Sequence, residues 1–247
     1  MMNSGQSHVF NFSTIRQGGK TFIAPNEVEF QKLYEEIFKK HVYYVHLDEP
    51  SPFIIDAGAH VGLASIYYKS LFPRAKILSF EPLPLLVQCF RQNLLFHDIE
   101  DIEIVPLAIS DREGQIVLFH DAEPVNYWPS TTSIFPGAWD LRQKTKPIPL
   151  SSTKLSQYID RPVDILKIDI EGLEMKVLQE IRPKLKFVKH LLIEFHANHF
   201  NHPDRIIQLL EDEGYEIEVT EDKKQIAPRQ MQWRIPKLYF IEAHRKG

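Results

Sequence analysis

The chain has 247 residues, 43% hydrophobic and 25% charged, the balance of a globular protein with a real core in one large domain or two small ones. A formal net charge of −4 argues against nucleic acid as the main partner, because phosphate recognition asks for a basic surface. A single cysteine, Cys89, excludes an internal disulfide and points to a reducing compartment; with a polar Met1–His8 and no apolar run near the roughly 20 residues a bilayer requires, the expectation is a cytoplasmic protein with no membrane partner.

Taken in order, the chain opens with two short extended pieces, Val9–Ile15 and Thr21–Ala24, joined by a turn at Gly18-Gly19-Lys20. A helix is predicted from Asn26, a good N-cap, to about Lys40, with Phe30, Leu33, Tyr34, Ile37 and Phe38 on one apolar face. Pro50 and Pro52 isolate a strand from Phe53 to Asp56, followed by a glycine turn and a helix from about Gly62 to Leu71. A second strand covers Lys76–Glu81, a helix Pro84–Phe96, a third strand Ile102–Val105 and an extra strand Gln115–His120. Cys89 sits in the apolar run of the Pro84 helix and reads as a buried small residue rather than a nucleophile.

From Asp121 to Pro149 the rhythm breaks at Pro124, Pro129 and Pro136, and the stretch reads as a long loop. Tyr127, Trp128, Phe135 and Trp139 argue against disorder there. Order resumes with a short helix Ser152–Ile159, a strand Val163–Asp169, a helix Leu173–Ile181, a strand His190–Phe195 and a helix Pro203–Glu213. Strands Tyr215–Thr220 and Lys237–Ala243 close the chain. Strands and helices alternating at short spacing specify an α/β fold with a parallel sheet, and the chain shows no repeat and no convincing linker.

The most informative stretch is Asp56-Ala57-Gly58-Ala59-His60-Val61-Gly62. A strand-to-helix turn of this kind aims backbone N–H groups at a ligand. A dinucleotide fingerprint needs G-x-G-x-x-G, but His60 stands where the second glycine belongs, and a carboxylate at the strand tip would repel a diphosphate. Asp56 instead suits a cationic ligand, and S-adenosylmethionine carries both an ammonium and a sulfonium. Glu81, 25 positions on at the tip of the next strand, is placed for ribose hydroxyls. A nicotinamide-dependent oxidoreductase and a catalytically silent binding module are the competing readings.

Lys167, Asp169 and Glu171 alternate along a strand expected to be buried on both faces, so Lys167 should be neutralised by a neighbouring carboxylate. Glu194 and His196 repeat the device on the following strand. Asp169, Glu171, Glu194 and His196 would meet at the sheet edge, with Asp169 or His196 as the general base and Glu171 and Glu194 orienting the substrate. A weaker reading makes Asp169, Glu171 and Glu194 ligands of a divalent ion such as Mg2+. His196, His199 and His202 with Asp204 lack the cysteines or helical spacing of a zinc site.

Together these residues resemble the FkbM-type family of S-adenosylmethionine-dependent methyltransferases. The matching pieces are Ile55–Gly62, Phe80-Glu81-Pro82, Leu107–Ser110, Leu166–Glu174 and Ile193–His196, and the Lys-Ile-Asp-Ile-Glu-Gly run is the most specific. The resemblance implies a three-layer Rossmann-like fold: a seven-stranded, mostly parallel sheet with the last strand antiparallel. Residues 1–50 would form an extension with one helix, packed on a methyltransferase domain over 51–247. It places Asp56, Ala57, Gly58, Ala59, His60 and Gly62 around the methionyl end with Asp169, Glu81 on the ribose, and Ala108 and Ser110 near the adenine. It implies methylation of a hydroxyl on a sugar, polyketide or peptide natural product. His60 departs from the asparagine or similar small polar residue usual there. Ser130–Ser133 resembles the family's hydroxyl-rich stretch over the site, with Tyr127, Trp128 and Trp139 as stacking candidates. A homo-oligomer is compatible with the resemblance.

Overall fold

The computed structural model describes residues 12–121, 132–134, 136, 144–197, 201–231 and 237–245. It opens with a hairpin of β1 (Ser13–Gln17) and β2 (Lys20–Ala24), closed by Gly18 and Gly19 at φ +58° and +77°, the double left-handed turn that glycine adopts without strain. Helix α1 (Glu27–Tyr34) starts at Asn26, whose side chain accepts the Glu29 N–H at 2.9 Å, and continues as a π-helical turn over Glu35–Lys39. The hairpin is tied to the rest of the chain by Asn93, whose amide accepts from Ile23 N at 2.6 Å and donates to Ile23 O at 3.0 Å.

The core alternates β3 (Phe53–Ala57), α2 (Leu63–Leu71), β4 (Lys76–Phe80), α3 (Pro84–Phe96) and β5 (Ile102–Val105). After an inserted β6 (Ala108–Ser110), β7 (Gly114–Asp121) and β8 (Thr145–Lys154), it resumes with β9 (Val163–Ile168), α4 (Glu174–Glu180), β10 (Val188–Ala197), α5 (Pro203–Asp212), β11 (Tyr215–Glu221), β12 (Lys224–Ile226) and β13 (Lys237–Arg245). The main sheet has the order β12-β11-β13-β10-β9-β3-β4-β5. Strands β3, β4, β5, β9 and β10 are parallel, and the last strand, β13, inserts antiparallel between β10 and β11. Ile54, Ile55, Ile165, Leu166 and Ile168 are fully buried, as expected where helices cover both faces of a parallel sheet. The chain leaves β3 toward β4 on one side and returns to β9 on the other, so the crevice beyond the strand ends falls at this switch point.

Three details differ from the sequence expectation. The sheet has eight strands rather than seven, because Asp222 and Lys223 adopt positive φ and fold β12 back on β11. Strand β8 replaces the end of the supposed Asp121–Pro149 loop and joins β6 and β7 in a separate three-stranded sheet. The helix expected over Ser152–Ile159 is the end of β8 followed by a single 3-10 turn at Leu155–Tyr158. Cys89 is fully buried and its thiol is pushed up to about 12 by burial, which suits a packing residue. Among the described residues no helix is long and apolar enough to cross a membrane.

Candidate active site

A cleft enclosing about 930 Å³, partly open to solvent, lies beyond the C-terminal ends of β3, β4 and β9. Its walls are largely apolar: Leu63, Leu83 and Leu86 from the α2 and α3 region, Leu107, Ala108 and Ile109 beside β6, and Ile116 and Leu118 on β7. The N-terminal segment adds Leu33, Ile37 and Tyr43. Polar groups enter at Glu81, His60, Thr132, Lys167, Asp169 and Glu171.

The glycine turn forms the floor. Gly58 has φ +87°, and a Cβ built there would stand 1.8 Å from the Asp169 carbonyl oxygen, so only glycine lets the ends of β3 and β9 approach this closely. A Cβ on Gly62 would strike the Phe90 ring at 2.0 Å, which makes that glycine a matter of packing α2 against α3. Phe80 O accepts from Gly58 N at 3.0 Å and from Ala59 N at 2.8 Å, fixing the turn over the tip of β4. His60, at φ +54°, donates its backbone N–H to Glu81 Oε2 at 2.9 Å, and Leu83 N donates to Glu81 Oε1 at 2.8 Å. Glu81 is 4% exposed, and burial pushes its carboxyl up to about 8 against the lowering effect of those two N–H groups. The His60 ring lies 3.7 Å from Glu29 on α1, and burial lowers its pKa, so it stands as a neutral imidazole.

Asp56 takes a different course. It is fully buried; Oδ2 accepts from the Ser65 hydroxyl at 2.7 Å, which Ser79 supports at 2.8 Å, and Oδ1 lies 3.2 Å from Lys167 Nζ. Lys167 also donates to Gly58 O at 2.6 Å and sits 3.5 Å from Asp169. Burial alone would lower the Lys167 pKa, but Asp56 and Asp169 outweigh it and hold the ammonium charged. Here is the neutralising carboxylate expected for Lys167.

Strand β9 ends at Ile168, and Glu171 and Gly172 turn the chain with φ +56° and +107° into α4. Thus Asp169 and Glu171 occupy the turn rather than one continuous strand face. The Glu171 carboxyl is raised by burial and by Asp169. On β10, Glu194 accepts the Tyr43 hydroxyl proton, and burial with Asp169 raises its carboxyl to about 7. His196 Nδ1 lies 2.9 Å from the fully buried Glu174, and Nε2 lies 3.7 Å from Glu171. Burial opposes its charge, yet Glu171 and Glu174 prevail and raise the imidazole to about 10. Asn201 donates to Glu174 and completes this pocket.

With that geometry in place, the comparisons carry weight. The model of the methyltransferase FkbM domain matches residues 56–217. The chain belongs to the FkbM methyltransferase family. Methyltransferase sdnD of Sordaria araneosa is 29% identical over 245 residues, covering 85% of this chain and 90% of the relative. The 2-O-methyltransferase NoeI of Sinorhizobium fredii is 24% identical over 165 residues, covering 58% and 63%. A crystal structure of methyltransferase FkbM from Methylobacillus flagellatus KT shares the fold at a TM-score of 0.51 and 16% identity, over 80% of this chain and 45% of that one. The chain is therefore a methyltransferase of Rossmann-like fold, and the oxidoreductase reading gives way to it.

Of the residues expected around the site of this FkbM methyltransferase, the cleft gathers Gly58, Ala59, His60, Glu81, Ala108, Asp169 and Glu171. Its described lining does not include Asp56, Ala57, Gly62, Ser110, Glu194 or His196. Asp56 is turned inward toward Lys167 and Ser65 and does not line the cleft. Ala57 is packed in the sheet, and buried Ser110 donates to Asp111 at 3.0 Å. His196, an imidazolium between two glutamates, does not fit the role of proton acceptor. Lys167, Tyr43, Leu33 on α1 and Ile37 in the π-helical turn after it are additions; the apolar spacing of this helical segment marks a buried face but not what it faces. Thr132 lines the cleft, and Ser133 bridges to Phe119. Tyr127, Trp128, Ser130, Thr131, Phe135, Trp139 and His199 lie outside the described residues.

The expected metal ligands are not brought together as a set. Asp169, Glu171 and His196 offer atoms within 4.8 Å of one another, while Glu194 is engaged with Tyr43. The cationic Lys167 and His196 already balance these carboxylates, and a divalent ion placed there would face two positive charges.

Proposed function

We propose that this FkbM methyltransferase uses S-adenosylmethionine to methylate a hydroxyl oxygen of a small acceptor, such as a sugar or a polyketide or peptide natural product. The observation that carries the reading is Glu81: a carboxyl group in the cleft, oriented by two backbone N–H groups, with hydrogen-bonding capacity left over for a ribose diol. Leu83, Leu107, Ala108 and Ile109 offer an apolar slot suited to an adenine ring. Gly58, Ala59, Asp169 and Glu171 line the part of the cleft that would take the methionyl end.

When bound, the cofactor supplies an activated methyl group on a cationic sulfur. The chain's own work is to align the acceptor oxygen, exclude water with the apolar walls and take the hydroxyl proton. Positioning of this kind can supply roughly 7–11 kcal/mol. For the proton, the sheet-edge carboxylates are the available acceptors. Glu194, at about 7, is poised near neutrality, whereas Asp169 is ion-paired with Lys167 and would give up that pair on protonation. The name of NoeI as a 2-O-methyltransferase supports an oxygen target.

A methyl-transfer assay with a panel of hydroxylated acceptors tests this. A base works in its ionised form, so activity should rise with pH through about 7, and Glu194→Gln should abolish that limb. Turnover on amine acceptors alone, with no hydroxyl acceptor methylated, would contradict the oxygen assignment.

A further inference from the structure

We propose that Tyr43, supplied by the N-terminal extension, receives the acceptor's hydroxyl proton and passes its own on to Glu194. The inference rests on the O-methyltransferase reading above and gives it a route for the proton. Tyr43 lines the cleft beside Gly58, Lys167 and Asp169, whereas Glu194 is not among the lining residues, and the Tyr43 hydroxyl donates to Glu194 Oε1. A proton leaving the cleft for Glu194 therefore meets Tyr43 first.

The chemistry of a phenol suits the position. Its one donor is committed to Glu194, so what remains on the oxygen is acceptor capacity. The ring is 3% exposed, held with Lys167 Nζ 5.4 Å from its centroid and the Phe240 ring at 6.0 Å. Burial, with the nearby Glu194 and Asp169, raises the phenol's pKa well above its usual value, so Tyr43 stays protonated and relays rather than serving as a standing base. The titratable groups around Glu194 are Tyr43 from the extension, Lys167 on β9, Asp169 and Glu171 in the turn after it, and His196 on the same strand.

The step balances. A lone pair of the acceptor oxygen forms the bond to the methyl carbon, and the carbon–sulfur bond breaks with its electrons remaining on sulfur. The acceptor's O–H proton moves to Tyr43 Oη while the Tyr43 proton moves to Glu194 Oε1. The products are a methyl ether, a neutral thioether and a protonated Glu194, which returns its proton to water before the next turnover. Tyr43 lies before residue 56, where the family match begins, so the relay joins an element outside the matched domain to one inside it.

The test compares Tyr43→Phe, Glu194→Gln and the double variant. Tyr43→Phe should lower kcat about 100-fold with acceptor KM little changed, and the double variant should be no worse than Glu194→Gln. The infrared band of a protonated carboxyl, assigned by its loss in Glu194→Gln, should titrate near pH 7 and move upward in Tyr43→Phe without any turnover. Incorporating 3,5-difluorotyrosine at position 43, which keeps ring and hydroxyl, should restore turnover above the Phe level and so separate the hydroxyl from packing. Full kcat in Tyr43→Phe, or an unmoved infrared midpoint, would overturn the relay alone. A wild-type enzyme that binds S-adenosylhomocysteine but methylates no hydroxyl would overturn the oxygen reading and the relay with it.

Discussion

Asp56 and Glu81 stand near the ends of adjacent parallel strands, yet one is sealed beneath the sheet edge and the other faces the cleft. The difference lies in their partners. Asp56 meets an ammonium and a hydroxyl, Lys167 and Ser65, which satisfy its charge inside the protein. Glu81 accepts the N–H groups of His60 and Leu83, which orient it but do not offset its burial, so its carboxyl keeps a proton up to about pH 8. A strand-tip carboxyl is thus sealed into the scaffold when a buried cation pairs with it and left facing the cleft when none does.

The largest effect should come from Asp56→Ala, which leaves Lys167 buried with too little negative charge. Removing one partner of a buried pair typically costs about 3–5 kcal/mol, readable as a lower midpoint in urea unfolding. Glu81→Ala should cost about 1–2 kcal/mol, since it strands two N–H groups but removes an unneutralised carboxyl. Equal losses would break the contrast. Gly58→Ala falls between, at about 1–3 kcal/mol, because the new methyl must push β3 away from Asp169.

A pH series sharpens the same contrast. The folded Glu81 carboxyl titrates at about 8, above the ordinary carboxylate value of 4.5, so the folded protein holds a proton that the unfolded chain has released. Its stabilising contribution is complete below pH 4.5 and is lost as pH rises toward 8. Unfolding free energy of the ligand-free protein should fall across that window, and Glu81→Gln should flatten the fall. Glu194 adds a fall of the same sign over the narrower window from 4.5 to about 7. The smallest effect belongs to His60→Asn: asparagine tolerates φ +54°, and the contact with Glu81 comes from the backbone N–H, so stability should change by no more than about 0.5 kcal/mol.

Much of the fold was legible because local signals agreed. The glycine turn, the Asn26 cap and the apolar spacing of the helix that follows that cap each specified their element within a few residues. Strand β8 was hidden by Pro147 and Pro149, which argue against a strand. Two positions apart, they turn the same side, and among the described residues β8 pairs over Thr145–Ser151 with β7 alone, so the missing N–H groups, on its other edge, cost that ladder nothing. Glu81, Gly58 and Asp169 could be placed because strand ends converge in any parallel sheet. The inward turn of Asp56 depends on Lys167, far along the chain, and the Tyr43–Glu194 contact spans 151 residues, a pairing no local pattern encodes.

The account stands or falls on Glu81 as the ribose-binding carboxylate. Calorimetric titration of S-adenosylhomocysteine into wild type and Glu81→Ala decides it. One-to-one binding to wild type, weakened about 10- to 100-fold in a variant that remains folded, is the expected result. Equal affinity in both proteins, or no binding to wild type, would contradict it.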